Sequence, residues 1–116
     1  LNAERRVGFI FFNLAHAMND DKVRAAWQAL YDWAAPGSLL FTNNVSENWS
    51  TDPDLVEVGE IYGSANLSGF FRNPAELRSL AQPWQVTPEG ILSHTLWLDP
   101  HAPVSRLLMY AMMLSK

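Results

Sequence analysis

One apolar run near the N-terminus constrains the fold more than any other feature. Residues Val7–Phe12 read Val-Gly-Phe-Ile-Phe-Phe, a pattern typical of a strand buried on both faces of a parallel sheet. A helical pattern follows, and Ser38–Thr42 is the next apolar segment. A strand, a helix and a second strand joined by short turns form a βαβ unit, which requires parallel strands and a right-handed crossover. The sequence therefore predicts an α/β fold.

The helix between these strands has clear start and stop signals. Asn19-Asp20-Asp21 supplies a capping side chain and negative charge at the positive end of a helix. Ala35-Pro36-Gly37 ends it. Its apolar positions have the spacing of one buried helical face: Val23, Ala26, Trp27, Leu30 and Ala34. We predict that this face packs on the sheet.

The second half of the chain predicts shorter elements. Proline follows a capping residue at Asp52-Pro53 and Asn73-Pro74, which indicates two helix starts. Trp84–Thr87 and Ile91–Leu98 are predicted strands separated by a tight turn, so each is expected to be antiparallel to at least one neighbour. A final apolar helix is predicted from Pro103. The predicted fold class is a parallel βαβ unit followed by helices and an antiparallel pair of strands.

Composition narrows the function. The chain has 116 residues, 48% of them hydrophobic and 17% charged, which predicts a single packed domain over residues 1–116. Its net charge is −4 and its eight Lys and Arg are dispersed, which argues against nucleic acid binding. Cysteine is absent, so disulfides, thiolate nucleophiles and zinc–thiolate sites are excluded. No apolar stretch approaches the roughly 20 residues that span a bilayer. We expect a cytoplasmic protein without membrane contact.

Several short motifs occur in a characteristic order. Leu14-Ala15-His16 follows the first strand, and Pro36-Gly37-Ser38-Leu39-Leu40 introduces the second. Arg72-Asn73-Pro74-Ala75-Glu76 begins a helix, and Pro88-Glu89-Gly90 and Trp97-Leu98-Asp99-Pro100 follow. In this order the chain resembles the C-terminal half of class I S-adenosylmethionine-dependent methyltransferases. It is most similar to a bacterial, largely actinomycete-type group of them, from Val7 to about Pro100.

The resemblance implies a Rossmann-like, three-layer fragment that begins at the fourth strand of a seven-stranded sheet whose last strand is antiparallel. It also implies S-adenosylmethionine as cofactor and a small-molecule methyl acceptor. None of the six glycines forms the glycine-rich loop that binds this cofactor after the first strand of such enzymes. We therefore expect the cofactor-binding half to be absent, and the chain, which begins at Leu1, to be cut from a longer protein or to be a half-domain. The alternative is a non-catalytic methyltransferase-like domain used for assembly or regulation.

Candidate cofactor-binding residues follow the first strand. Open α/β sheets bind ligands beyond the carboxyl ends of their strands, where Asn13, Leu14 and His16 are predicted to lie. In the methyltransferase family this segment faces the methionine part of the cofactor. The alternative for His16 is a capping or surface role. His94 and His101 have no ligand spacing with a carboxylate, so no metal site is predicted.

Candidate substrate-binding residues come from the second strand and the loops. Asn43 and Asn44 end that strand at the same edge, although asparagine is also a common turn residue. Trp49 lies in a polar loop and is predicted to cover the substrate. Arg72 is predicted to orient an anionic substrate group or, alternatively, to pair with Glu76 one turn along the helix.

The first strand also predicts an interaction. If the front half is missing, Val7–Phe12 has an unpaired, strongly apolar edge without lysine or proline. We expect self-association through residues 7–12, or a partner that supplies the N-terminal half. Ile10→Lys is expected to break this contact but also to damage the core, which makes Gly8→Pro the cleaner substitution.

Overall fold

The predicted βαβ unit is present in the computed structural model, which describes residues 6–65, 69–103 and 108–116. Strand β1 is Gly8–Phe11, helix α1 is Asp20–Trp33 and strand β2 is Leu39–Val45. The two strands are parallel, with Gly8 opposite Leu39. Helix α1 begins where predicted, because the Asn19 side chain accepts a hydrogen bond from the Lys22 backbone N–H at 2.9 Å. The first half of the sequence prediction is confirmed.

The rest of the sheet is antiparallel. Its further elements are helices α2 (Pro53–Ser64), α3 (Pro74–Ala81) and α4 (His94–Leu98), and strands β3 (Gln85–Val86), β4 (Leu92–Ser93) and β5 (Met109–Ser115). The strand order is β1-β2-β5-β3, and β4 also pairs with β5. Strand β5 is antiparallel to all three of its neighbours. The predicted α/β class, with one parallel unit followed by helices and antiparallel strands, is confirmed.

The predicted C-terminal helix is wrong. The apolar run at the end of the chain forms strand β5, which pairs with β2 on one side and with β3 and β4 on the other. A short apolar run suits a buried helix or a central strand equally well, and only the neighbours distinguish them. Residues 104–107, where the predicted helix begins, lie outside the described residues. An antiparallel last strand is what the family resemblance implies.

The predicted strand Ile91–Leu98 is also corrected. Strand β4 covers only Leu92–Ser93, and helix α4 follows directly. The helical turn brings the Trp97 ring to β5, where its Nε1 donates to the Ala111 carbonyl at 2.8 Å. The same ring makes an edge-to-face contact with Phe41, with centroids 5.8 Å apart. These contacts hold helix α4 against the sheet. Strands β3 and β4 pair with β5 and not with each other.

Strand β1 is buried on one side only. Phe9 and Phe11 are half-buried and make edge contacts with the α1 side chains Trp33 and Trp27. Ile10 points away from this helix and is 79% exposed. Strand β1 pairs with β2 alone, so it is an edge of the sheet among the described residues. The prediction of burial on both faces is therefore wrong for this strand.

The core lies between the sheet and helices α1 and α3. It is formed by fully or nearly fully buried side chains, among them Trp27, Leu40, Leu77, Leu80, Trp84, Met112 and Leu114. The Trp84 Nε1 donates to the Trp27 carbonyl at 2.8 Å and ties α1 to the segment that follows α3. Lys116 Nζ donates to the Tyr31 and Ala34 carbonyls at 2.6 and 2.7 Å, at the end of α1. No helix among the described residues has the length and apolar character needed to cross a membrane.

Candidate functional site

A cavity of about 390 Å³ lies beyond the carboxyl ends of β1 and β2. This is the edge of an open α/β sheet where ligands bind. The cavity is lined by Asn13, His16, Ala17, Val45, Trp49, Gly59, Tyr62, Gly69, Phe71 and Met109. Side chains from the end of β1, the end of β2, helix α2 and the segment before α3 therefore converge here. The lining is mainly apolar and aromatic, as is usual for small-molecule sites.

Asn13 is held at the cavity by Asn43. Its backbone has a φ of 56°, in the left-handed region that asparagine tolerates better than most residues. The Asn13 backbone N–H donates to Asn43 Oδ1 at 2.7 Å, and Asn43 Nδ2 donates back to Asn13 Oδ1 at 2.8 Å. Asn43 is 2% exposed, inside β2 instead of in a turn. The pair leaves Asn13 Nδ2 without a partner among the described residues, so it is available to a ligand.

His16 lines the same cavity from the short helical turn after β1. Burial, followed by the nearby Arg72 cation, lowers the pKa of its imidazole below the usual 6.5. Both effects favour the neutral form of the ring. Its Nδ1 is buried and has no hydrogen-bond partner in the part of the chain that the structure describes. Nε2 is the ring nitrogen that remains accessible to a ligand.

Arg72 is buried behind the cavity and serves the protein itself. Its side chain is 4% exposed, and Nε and Nη2 each approach Asp20 Oδ1 at 2.9 Å. Nη1 donates to the Ala15 carbonyl and Asn44 Oδ1, both at 2.8 Å, and Nη2 donates to the Met18 carbonyl at 2.7 Å. These contacts use the five N–H donors of a guanidinium. Arg72 therefore has no free N–H donor for the predicted contact with an anionic substrate.

Asn44 belongs to the same buried network. It is 1% exposed, and its Nδ2 donates to the Val45 and Phe70 carbonyls at 2.9 and 3.0 Å while Oδ1 accepts from Arg72. The alternative pairing of Arg72 with Glu76 does not occur. Glu76 instead accepts from the Asn73 backbone N–H at 2.8 Å in a capping box at the start of α3. Arg72 and Asn44 thus fix the shape of the site from behind.

Trp49 forms part of the cavity wall. Its ring stacks on Phe71 with centroids 6.1 Å apart and planes at 18°. Its Nε1 donates to the Leu108 carbonyl at 2.9 Å, which anchors the indole to the segment before β5. Phe71 remains 38% exposed beside it. The two rings together present an aromatic surface to the cavity.

The structure separates the predicted site residues into groups. Asn13, His16 and Trp49 line the cavity. Asn43, Asn44 and Arg72 are buried supports, and Leu14 is 49% exposed outside the lining.

Sequence reasoning missed the remaining wall residues, of which Tyr62 and Phe71 are the largest. Phe71 precedes Arg72 in an aromatic loop, and this position could have indicated a binding site. The spacing of Tyr62, in contrast, is that of an ordinary helix face. Among the described residues, no group of His, Asp and Glu is placed to hold a metal ion.

Comparison with known proteins identifies the fold. No family model and no curated protein matches the sequence. The whole chain superimposes on 45% of a proposed methyltransferase from Thermobifida fusca YX, with 22% identity and a TM-score of 0.79. It also superimposes on 46% of a DUF574 family protein from Streptomyces avermitilis MA-4680, with 20% identity and a TM-score of 0.81. The chain thus spans slightly less than half the length of these two proteins.

More distant structures share the same arrangement. Human N-acetylserotonin methyltransferase, in complex with S-adenosylmethionine, matches 94% of this chain over 29% of its own length, with 14% identity and a TM-score of 0.55. At these identities the similarity establishes the fold and not the activity. The chain has the Rossmann-like α/β fold of the matching parts of these structures.

Proposed function

We propose that this chain is the substrate-side half of an S-adenosylmethionine-dependent methyltransferase that acts on a small molecule. The observation that carries the proposal is the cavity beyond β1 and β2, formed in a fold that methyltransferases share and lined at one end by Asn13 and His16. In the resembling family, the segment after this strand faces the methionine part of the cofactor.

The residues of the site suit a reaction that depends on positioning. S-adenosylmethionine supplies an activated methyl group, so the protein mainly orients the reactants. The Asn43 side chain fixes Asn13, whose Nδ2 keeps two N–H donors, one for a polar group of the cofactor and one for the methyl acceptor. The neutral His16 ring adds a second hydrogen-bonding group without adding charge. The apolar walls exclude water from the methyl acceptor. No glycine-rich loop supplies contacts to the adenosine and ribose, so the fit to the cofactor is partial.

The first test is cofactor binding. Calorimetric titration of residues 1–116 with S-adenosylmethionine is expected to show weak or undetectable binding, because this chain has no glycine-rich loop for the adenosine and ribose. A protein extended by the glycine-rich half of the fold in front of this chain is expected to bind in the micromolar range. Asn13→Gly, which tolerates the positive φ, should weaken that binding at least tenfold. Failure of the extended protein to bind the cofactor would reject the methyltransferase function and favour the non-catalytic alternative.

We propose association through β1 both for a methyltransferase and for the non-catalytic alternative. Ile10 is 79% exposed on the edge strand β1, and Phe12, directly after this strand, is 42% exposed, an arrangement that promotes pairing with another chain. We propose that a second copy, or a partner with the front half of the fold, pairs with this strand. Because Ile10 is exposed, Ile10→Lys does not enter the core, contrary to the expectation from sequence, and is a cleaner substitution than Gly8→Pro.

Sedimentation velocity tests this contact. The unmodified chain is expected to self-associate at high concentration, and Ile10→Lys is expected to remain monomeric with an unchanged denaturation midpoint. Ile61→Lys is the matched control, since Ile61 is 64% exposed on helix α2, away from the sheet edge. A monomeric unmodified chain at every concentration would contradict self-association, as would equal effects of the two lysine substitutions.

A further inference from the structure

We propose that the cavity binds a flat, uncharged molecule about the size of two fused rings, with one polar group directed toward Asn13 and His16. This names the class of the methyl acceptor and therefore rests on the proposed function. Three independent properties of the cavity carry the proposal: the aromatic wall, the lack of charge among its described lining residues, and the unpaired polar atoms at one end.

The wall favours a planar ligand. Trp49 and Phe71 stack with their planes at 18°, so they present nearly parallel ring faces, and Tyr62 contributes a third ring from helix α2. Aromatic faces stack best on other flat rings. The volume of about 390 Å³ is at the small end of ligand cavities and matches a compact ring system better than a long flexible chain.

The lining favours a ligand without charge. In the ranges that the structure describes, no Lys, Arg, Asp or Glu side chain lines the cavity. The guanidinium of Arg72, behind the cavity, is engaged with Asp20, Asn44 and backbone carbonyls. An ionised ligand would lose its hydration here without gaining a counter-charge, which is costly. The cationic form of His16 is disfavoured as well, because burial and Arg72 lower the pKa of its ring.

The unpaired polar atoms define how the ligand is oriented in the cavity. Asn13 Nδ2 and His16 Nε2 have no hydrogen-bond partner in the described ranges, and both residues lie at the carboxyl end of β1. The Asn43 contacts hold Asn13 in place before any ligand arrives. A hydroxyl or amino group on the ring system would meet these atoms while its rings lie against the aromatic wall. The polar group is thereby placed on the side where the methyl donor is proposed to bind.

Calorimetric titration of the full 116-residue chain with defined probes tests this inference. We expect one saturable site for 2-naphthol, which is flat, neutral and carries a single hydroxyl. Naphthalene-2-sulfonate keeps the rings but adds a negative charge, and decahydro-2-naphthol keeps the hydroxyl but is not flat. Each is expected to bind at least tenfold more weakly. No binding of 2-naphthol, or equal binding of the sulfonate or the saturated alcohol, would overturn the inference.

Two glycines of helix α2 supply a matched pair of variants. A Cβ placed on Gly59 or on Gly63 meets no atom of the other described residues within 4 Å, so no close contact opposes a side chain at either position. Gly59 lines the cavity and Gly63 does not. Gly59→Leu is expected to fill the cavity and reduce the affinity for 2-naphthol at least tenfold, while Gly63→Leu leaves it unchanged. Equal affinities of the two variants would place the probe elsewhere and overturn the inference.

The outcomes separate this inference from the proposed function. If the extended protein binds S-adenosylmethionine but 2-naphthol does not bind, the methyltransferase function stands and the acceptor class is wrong. If 2-naphthol binds the cavity but the extended protein does not bind the cofactor, the aromatic site stands and the methyltransferase function is wrong.

Discussion

Replacing Trp27 with alanine is expected to lower the free energy of unfolding by about 3–5 kcal/mol. Trp27 is 1% exposed at the centre of the core, and its ring meets the edge of Phe11 on β1 with centroids 6.1 Å apart. Removal of the indole leaves a large cavity between helix α1 and the sheet. Helix α1 then loses the contact with Phe11 that holds it against β1.

Chemical denaturation monitored by circular dichroism measures this effect, with Trp27→Phe as the matched control. The indole Nε1 of Trp27 is buried and has no hydrogen-bond partner among the described residues. Phenylalanine keeps most of the ring and removes this unpaired donor, so it should cost clearly less than alanine. A denaturation midpoint that barely moves in Trp27→Ala would show that this helix face does not hold the fold together.

Arg72→Met is expected to lower the free energy of unfolding by about 2–5 kcal/mol. The substitution keeps a side chain of similar length but leaves the Met18 carbonyl and Asn44 Oδ1 without their guanidinium donors. The Ala15 carbonyl loses Arg72 Nη1 but keeps the Met18 backbone N–H at 3.2 Å. Buried acceptors left without donors cost about 1–3 kcal/mol each. The carboxylate of Asp20 contributes little to the loss, since its side chain is 63% exposed and returns to water.

Two variants distinguish this support from a direct substrate contact. Arg72→Lys keeps the charge but cannot reproduce the five-donor fork, so it should recover only part of the stability. Arg78→Met on the exposed side of α3 is the matched surface control, expected within about 0.5 kcal/mol of the unmodified protein. If Arg72→Met folded with unchanged stability and lost only ligand affinity, Arg72 would be a substrate-binding residue after all.

Local signals in the sequence were sufficient to predict much of the fold. Asn19 caps α1 as its position predicts, and Asn73 with Glu76 forms the capping box that starts α3. These contacts join residues a few positions apart, so the sequence alone contains them. The parallel pairing of β1 and β2 also followed from the βαβ pattern, since a short crossover helix allows few other arrangements. The strand ends then placed Asn13 and His16 near a common edge.

The tertiary structure decided what depends on distant neighbours. The run Met109–Ser115 is a strand because β2, β3 and β4 satisfy its backbone on both sides, a condition absent from the run itself. Arg72 became a buried support because its acceptors come from segments more than 25 residues away in the chain. Ile10 is exposed because helix α1 covers only the other side of β1. Short-range capping and periodicity are properties of the sequence, whereas burial and long-range hydrogen bonding are settled only when the elements pack.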